Sequence, residues 1–291
     1  MKDEILGIHH ITGISNDAIA NVDFYTKTLG FKLIKKTVNF DDPTAYHLYY
    51  GDEVGSPGSV ITFFIYEGSD HGKIGNGCVS KIGMGVKKGS LDYWKKRLKA
   101  YEVYFENKNE KIVFEDPDGL ALEIIESDIN INKPVDNDVP EEHQIKGFAR
   151  IEMLSSNVEE TKNFLIEMGF ENKQELISKQ KEVFVIKEST ENVWMGKGSI
   201  HHIAFNTKDS KTQEGWKSYL EEHDYMVSEV MERFYFRSIY FQEPGGVLFE
   251  IATNGPGFTV DEKVSELGSS LVLPKWLETS REFIEKHLPE L

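Results

Sequence analysis

The pair His-His occurs twice in this 291-residue chain, at His9-His10 in LGIHHITGI and at His201-His202 in GSIHHIAF. Each pair sits in an apolar run next to glycine, which reads as a β-strand. Neighbouring side chains on a strand point to opposite faces. One histidine of each pair can therefore face a cavity while the other supports the back of the sheet. A helix-like segment follows each strand, so the two stretches read as copies of one unit.

The unit can be followed along the chain. Residues 6–14 read as a strand. Ala18–Leu29 reads as an amphipathic helix, stopped by Gly30. Strand-like runs follow at 31–39, 45–51 and 59–66, separated by Asp41, Asp42, Pro43 and by GSPG at 55–58. The order is βαβββ, and it recurs three times. The second copy has a strand at 77–86, a helix capped by Ser90 and running to Lys99, and strands to 126. The third has a strand at 145–154, a helix at 158–168 ended by Gly169, and strands to about Met195. The fourth has a strand at 199–206, a helix at 211–223 and strands to Ala252. Four such modules predict an α+β fold. The polar stretch 127–143 contains Pro134 and Pro140 and is the best boundary. The expected division is a domain over 1–127, a linker over 128–143, a domain over 144–257 and a tail over 258–291 with a helix-like stretch at 275–287.

Duplication is also written in the residues. FEDPDGLALEII (114–125) aligns with FQEPGGVLFEIA (241–252), matching Pro117 to Pro244, Gly119 to Gly246 and Glu123 to Glu250. Pro-x-Gly is turn chemistry, and in both copies a Glu follows the Pro by six residues. Aligning GCVSKIGM (77–84) with GSIHHIAF puts Lys81 under His202. The second module therefore keeps the acid and lacks the histidine. The first keeps the histidine and ends in SVITFFIY (59–66), with no acid. The fourth carries both.

Glu250 lies among Val247, Leu248, Phe249 and Ile251. A carboxylate in such company is costly unless paired or metal-bound, although an acid on the solvent face of a strand, or a structural histidine, is the plainer reading of each residue alone. Two imidazoles and a carboxylate would leave three positions of an octahedral ion open, the facial arrangement of non-haem Fe(II) sites.

Composition narrows the partners. A net charge of −16 disfavours nucleic acid, which needs clustered Lys and Arg, and disfavours an anionic membrane surface. The single Cys78 excludes an intrachain disulfide and fits a reducing compartment. MKDEILG has no apolar h-region, and no run approaches the roughly 18–20 apolar residues of a membrane span. A cytoplasmic protein acting on a small molecule is the expectation.

The two HHI strands stand together with YHLYYGDEVGSPGSVITFF (46–64), RFYFRSIYF (233–241), PGGVLFEIAT (244–253) and GPGFTVDE (255–262). With these the chain resembles the vicinal oxygen chelate superfamily of glyoxalases, bleomycin-resistance proteins and extradiol dioxygenases. Within it the closest likeness is to ring-cleaving dioxygenases of the hydroquinone branch, over nearly the whole length. The resemblance implies two domains with cup-shaped mixed β-sheets. It implies metal on His10, His202 and Glu250, with Fe(II) as the ion and Mn(II) as the alternative, and a small aromatic diol and O₂ as substrates. It makes His9, Thr12, Arg233 and Tyr240 the catalytic neighbours: Tyr240 and His9 as acid, base or hydrogen-bond donor, Arg233 against anionic oxygen, and Thr12 beside the first ligand. Phe234 and Phe236 would wall the ring. Modules one and four would then share one cup. Modules two and three would form a second, structural cup, with Lys81 and Arg150 at or near the matching places.

Read from the residues alone, Tyr240 can be a core aromatic and Arg233 a surface ion pair. Their spacing of seven is odd, so a bend is required if both are to reach one face. His47 could line the first cup, although a strand histidine among aromatics usually packs. A glyoxalase-type lyase or isomerase shares the fold but wants a fourth ligand, and the acid that would pair with His10 is missing. A non-catalytic protein that binds an aromatic compound is the third reading. Assembly into a homo-oligomer is left open.

Overall fold

The computed structural model describes residues 5–291; the first four residues of the expected N-terminal domain lie outside it. Its sixteen strands and their helices fall into four modules. The first is β1 (Gly7–Ser15), α1 (Ala18–Asp23, continuing as a π-helical turn Phe24–Thr28), β2 (Lys32–Val38), β3 (Tyr46–Gly51) and β4 (Val60–Ile65). The second is β5 (Cys78–Val86), α2 (Leu91–Ala100), β6 (Phe105–Lys108), β7 (Lys111–Glu115) and β8 (Ala121–Glu126). The third is β9 (Gly147–Ser155), α3 (Val158–Glu167), β10 (Glu171–Asn172), β11 (Leu176–Ile177) and β12 (Val183–Glu188). The fourth is β13 (Ile200–Thr207), α4 (Ser210–Glu222), β14 (Met231–Glu232), β15 (Arg237–Gln242) and β16 (Leu248–Thr253).

Local chemistry sets these limits. The Asp17 carboxylate accepts from Ala20 N at 2.9 Å and caps α1. Gly30 ends that helical segment at φ 75°, a conformation open to glycine. The two Pro-x-Gly turns are built alike. Asp116 N donates to Leu120 O and Gly119 N to Asp116 O, as Glu243 N does to Val247 O and Gly246 N to Glu243 O. Ser90 occupies the cap position of α2 but makes no capping bond. Its hydroxyl instead meets Glu142 O and His143 Nδ1, tying α2 to the polar stretch 128–143. That stretch is itself fastened. Asp138 pairs with Arg97 at 2.7 Å, Lys133 N donates to Asp52 at 2.9 Å, and Val139 is buried against Gly30. The third module's strands stop at Glu188, short of Met195, and beyond them Trp194 makes an isolated pairing with Lys73.

The modules pair across the chain. The first eight-stranded sheet runs β14-β15-β16-β13-β1-β4-β3-β2, and the second β10-β11-β12-β9-β5-β8-β7-β6. Modules one and four thus share one sheet and modules two and three the other, each joined by a central antiparallel pair. The outer strands of each module pack their backs against helices around Tyr25, Trp94 and Trp216, all fully buried.

The tail covers the edge at β2. Leu271 bridges to Lys36, and Leu273 and Ile284 pack on Val38. The fully buried Lys35 ammonium pairs with Asp261 at 2.5 Å and with Glu262. The expected helix resolves into a 3₁₀ turn Glu278–Ser280 and α5 (Arg281–His287). Among the described residues no helix is long and apolar enough to cross a membrane.

Candidate metal centre

Strand register brings the predicted residues together. His10 lies opposite Ala204, Ala204 beside Glu250, and Glu250 opposite Tyr240. Side chains in one such row share a face. His202, two residues before Ala204, shares it too. This face lines a cavity of about 320 Å³, bounded by His10, His202, Tyr240 and Glu250 with Arg233, Phe236, His47, Tyr49, Phe64 and the loop Asn39–Asp41.

His10 Nε2 lies 3.4 Å and His202 Nε2 2.9 Å from Glu250 Oε2. One donor atom from each of the three residues falls within 4.8 Å of the others, and all three residues are buried. His202 Nε2 and Glu250 Oε2 are close, yet their geometry is not that of a hydrogen bond, and both count among the buried atoms without a partner. The other carboxylate oxygen, Oε1, is held by the Ser238 hydroxyl. Burial works to raise the Glu250 pKa and is outweighed by the neighbouring His10 and His202 side chains, so the net shift is downward. Burial lowers the pKa of His202 and keeps that ring neutral. Two imidazole nitrogens and one carboxylate oxygen converging on a point, two of them otherwise orphaned, fit a divalent transition-metal ion.

The first histidine of each pair does something strand alternation does not allow. The register slips between Ile8 and His10, and again between His202 and Ile200, so His9 and His201 are each the extra residue of a β-bulge. Neither ring goes to the back of the sheet. His9 Nδ1 lies 2.9 Å from His10 Nδ1, and His201 Nδ1 lies 2.8 Å from His202 Nδ1. Burial lowers both outer rings to the neutral form, His9 to about 3 and His201 to about 4. The His9 contact at Nδ1 holds the His10 ring with Nε2 toward Glu250. His201 lines the cavity. His9 and Thr12 do not line it, and His9 lies against Phe236 at 4.9 Å.

The bend required between Arg233 and Tyr240 is present. The chain leaves β14, Phe234 takes φ 65°, and Arg233 N bonds back to Phe236 O. Arg233 Nε then donates to Tyr240 Oη at 3.1 Å, its guanidinium stands over the Tyr240 ring, and it pairs with Asp41 at 3.0 Å. Burial would lower the Arg233 pKa but is overridden by Tyr240, Asp41 and Glu250. Burial first and Glu250 second push the Tyr240 pKa up, so its hydroxyl keeps its proton. Phe236 lines the cavity and Phe234 does not, turning instead toward Trp276 of the tail.

Residue reasoning undervalued His47 and passed over Asp41 and Tyr49. Cross-strand register places them: His47 and Tyr49 are two apart on β3, and Tyr49 pairs with Thr62, which in turn pairs with Thr12. The same register shows what replaces the missing acid of module one. Thr62 stands to Thr12 and Tyr49 as Glu250 stands to Ala204 and Tyr240.

Residues 7–124 match the family model for the Glyoxalase/Bleomycin resistance protein/Dioxygenase superfamily. The chain is 40% identical over 308 aligned residues to a Bacillus subtilis protein named "Putative ring-cleaving dioxygenase MhqO", covering 99% of this chain and 97% of that one. It is 33% identical to the "Chlorohydroquinone/hydroquinone 1,2-dioxygenase" of Sphingobium indicum, covering 96% and 94%. A Bacillus subtilis protein whose crystal structure is described as a "putative dioxygenase" superposes with a TM-score of 0.94 at 38% identity, covering 99% and 98%.

Proposed function

We propose, from the premise that this chain belongs to the Glyoxalase/Bleomycin resistance protein/Dioxygenase superfamily, that it is a ring-cleaving dioxygenase for hydroquinones or catechols and depends on Fe(II). Mn(II) suits the same donors. The observation that carries the reading is the buried meeting of His10 Nε2, His202 Nε2 and Glu250 Oε2, two of them without another partner. When bound, the ion would lower the pKa of a coordinated substrate hydroxyl and bring the diol and O₂ to neighbouring positions.

The chain's own residues supply the rest. Tyr240, kept protonated and fixed by Arg233, offers its hydroxyl hydrogen to oxygen in the cavity. The Arg233 guanidinium places positive charge where anionic oxygen would develop. Phe236 and Phe64 provide apolar walls that exclude water from the ring. His9 and His201 hold the ligand rings in orientation through Nδ1. A glyoxalase-type site is disfavoured because the hydroxyl of Thr62, committed to His47 and Thr12, stands where a fourth ligand would be.

Protein loaded anaerobically with Fe(II) is expected to consume O₂ when given a hydroquinone or catechol. Glu250→Gln and His202→Ala are each expected to lose bound metal, measured by elemental analysis. Full metal content in both variants, or zero uptake across a panel of diols, overturns the reading.

A further inference from the structure

Among the described residues that line the cavity, Arg233 is the one lysine or arginine, and Asp41 and Glu250 are the acids. Glu250 belongs to the candidate ligand set. Asp41 does not. It comes from the loop between β2 and β3 in module one and crosses to module four, where it meets Arg233 Nη1 at 3.0 Å. Its side chain is 62% exposed against 17% for Arg233, so the acid stands at the rim of the cavity and the cation within.

The loop holds that acid in place. Asp41 N donates to Asn39 Oδ1 at 3.0 Å, and Asn39 Nδ2 donates at 2.9 Å to the hydroxyl of Tyr66, another residue of the wall. Phe40 packs edge-on against Trp276 of the tail. Arg233 is equally settled. Its Nε faces Tyr240, Nη1 faces Asp41 and Nη2 faces Met231 Sδ at 3.5 Å. Guanidinium and carboxylate together carry no net charge.

Resting on the functional reading above, we propose that Asp41 is a specificity-determining residue: by neutralising Arg233 it bars diols that carry an anionic ring substituent and admits uncharged ones. A carboxylate taken out of water needs a cation. Wherever the ring lies, Arg233 is the fixed cation the wall can offer, and Asp41 is already beside it. A second carboxylate brought to the same guanidinium meets a like charge that the loop keeps within reach. Asp41→Asn keeps the shape of the side chain, removes that charge and leaves Arg233 with a positive charge to offer.

The test compares 2,5-dihydroxyphenylacetate with 2,5-dihydroxyphenylacetamide, alike in shape and different in charge, with hydroquinone as the reference. Binding to the Fe(II)-loaded full-length protein is measured anaerobically by calorimetry. The wild-type protein is expected to bind the amide about 5–10-fold more tightly than the carboxylate, a partly exposed charge being worth about 1 kcal/mol. In Asp41→Asn, and in Asp41→Ser as a second variant, that ratio is expected to fall to about one or to invert. The ratio within each protein cancels any general change in affinity. Equal binding of acid and amide by the wild-type protein overturns the inference, as does a preference for the amide that survives in both variants. Binding of hydroquinone but of neither arm-bearing diol also overturns it, because shape and not charge then sorts the substituents. Failure of hydroquinone itself to bind is a different result and removes the ring-cleaving reading.

Discussion

Ser238 does not line the cavity, yet it has a measurable part in the centre. Its hydroxyl satisfies Glu250 Oε1, leaving Oε2 alone to face the histidines. Without it a fully buried carboxylate oxygen loses its donor and the acid is free to rotate. Ser238→Ala is expected to weaken divalent-metal affinity about 10–100-fold, the usual loss when a ligand's supporting bond is removed. Competition against a graded chelator measures it, and unchanged affinity would show that strand packing alone fixes Glu250. A second residue acts on stability. Glu182 is fully buried, accepts from Ile8 N at 3.1 Å and from Ser178, and has no cation paired with it among the described residues. Burial pushes its pKa up to about 7. Because the folded value lies above the unfolded one, the stabilising difference is fully present below about pH 4 and is lost as pH rises to about 7, a loss on the order of 3 kcal/mol. Asp116, raised by burial to about 6, acts in the same direction. Glu182→Gln is therefore expected to melt higher than wild type at pH 8 and within a degree or so of it at pH 5. An equal gain at both pH values would point to packing rather than charge.

At the scale of elements, the tail is held by apolar contacts on β2 and by a buried cation. Lys35 lies on β2, and Asp261 and Glu262 reach it from the segment that also carries Phe258, which packs on Tyr49, Tyr235 and Phe236 behind the cavity. Removing one partner of a buried pair strands the others and typically costs 3–5 kcal/mol. Both acids keep some exposure, so Lys35→Ala is expected to lose about 3 kcal/mol of stability by urea unfolding. A loss below about 0.5 kcal/mol would show that the tail docks through its apolar contacts alone. This latch was illegible in the sequence, because Lys35 and Asp261 are linked only by how the chain returns to an edge strand. The modules were legible, because a helix bounded by a cap or a glycine and a strand bounded by turn residues are local patterns. The candidate trio was legible only in part: duplication compares one module with another and exposes where an acid or a histidine departs from its copy, while the choice of His10 and His202 within their pairs came from the family resemblance. The bulges at His9 and His201 were not, since a two-against-one register exists only between partner strands. Alternation therefore sent one histidine of each pair to the wrong face. His47 was misjudged for want of the same cross-strand information.

Over the whole molecule the two sheets repeat one design with different chemistry at the centre. In the second sheet Arg150 lies opposite Gly83 and Gly83 beside Glu123, as His10, Ala204 and Glu250 are placed in the first. The bulges recur there at Ser80 and Ala149. Glu123 is met by Lys111 at 3.2 Å and Arg150 at 3.6 Å, so fixed cations stand where the first sheet gathers lone pairs. We propose that 128–143 joins two duplicated halves which cannot be separated as folding units, because each sheet takes one module from either side of it. Cutting the backbone there removes no strand from either sheet and leaves the central pairs β1–β13 and β5–β9 in place. A protease site inserted between the exposed Asp136 and Asn137, then cleaved, is expected to yield two fragments that elute together on size exclusion and part only in denaturant. Expressed alone, each half would present two unpaired central strands with a buried apolar face turned to water, and is expected to be insoluble or unfolded by circular dichroism. Two soluble, folded halves that ignore each other would mean that each half can build its own sheet, and that the pairing of module one with module four is not required for folding.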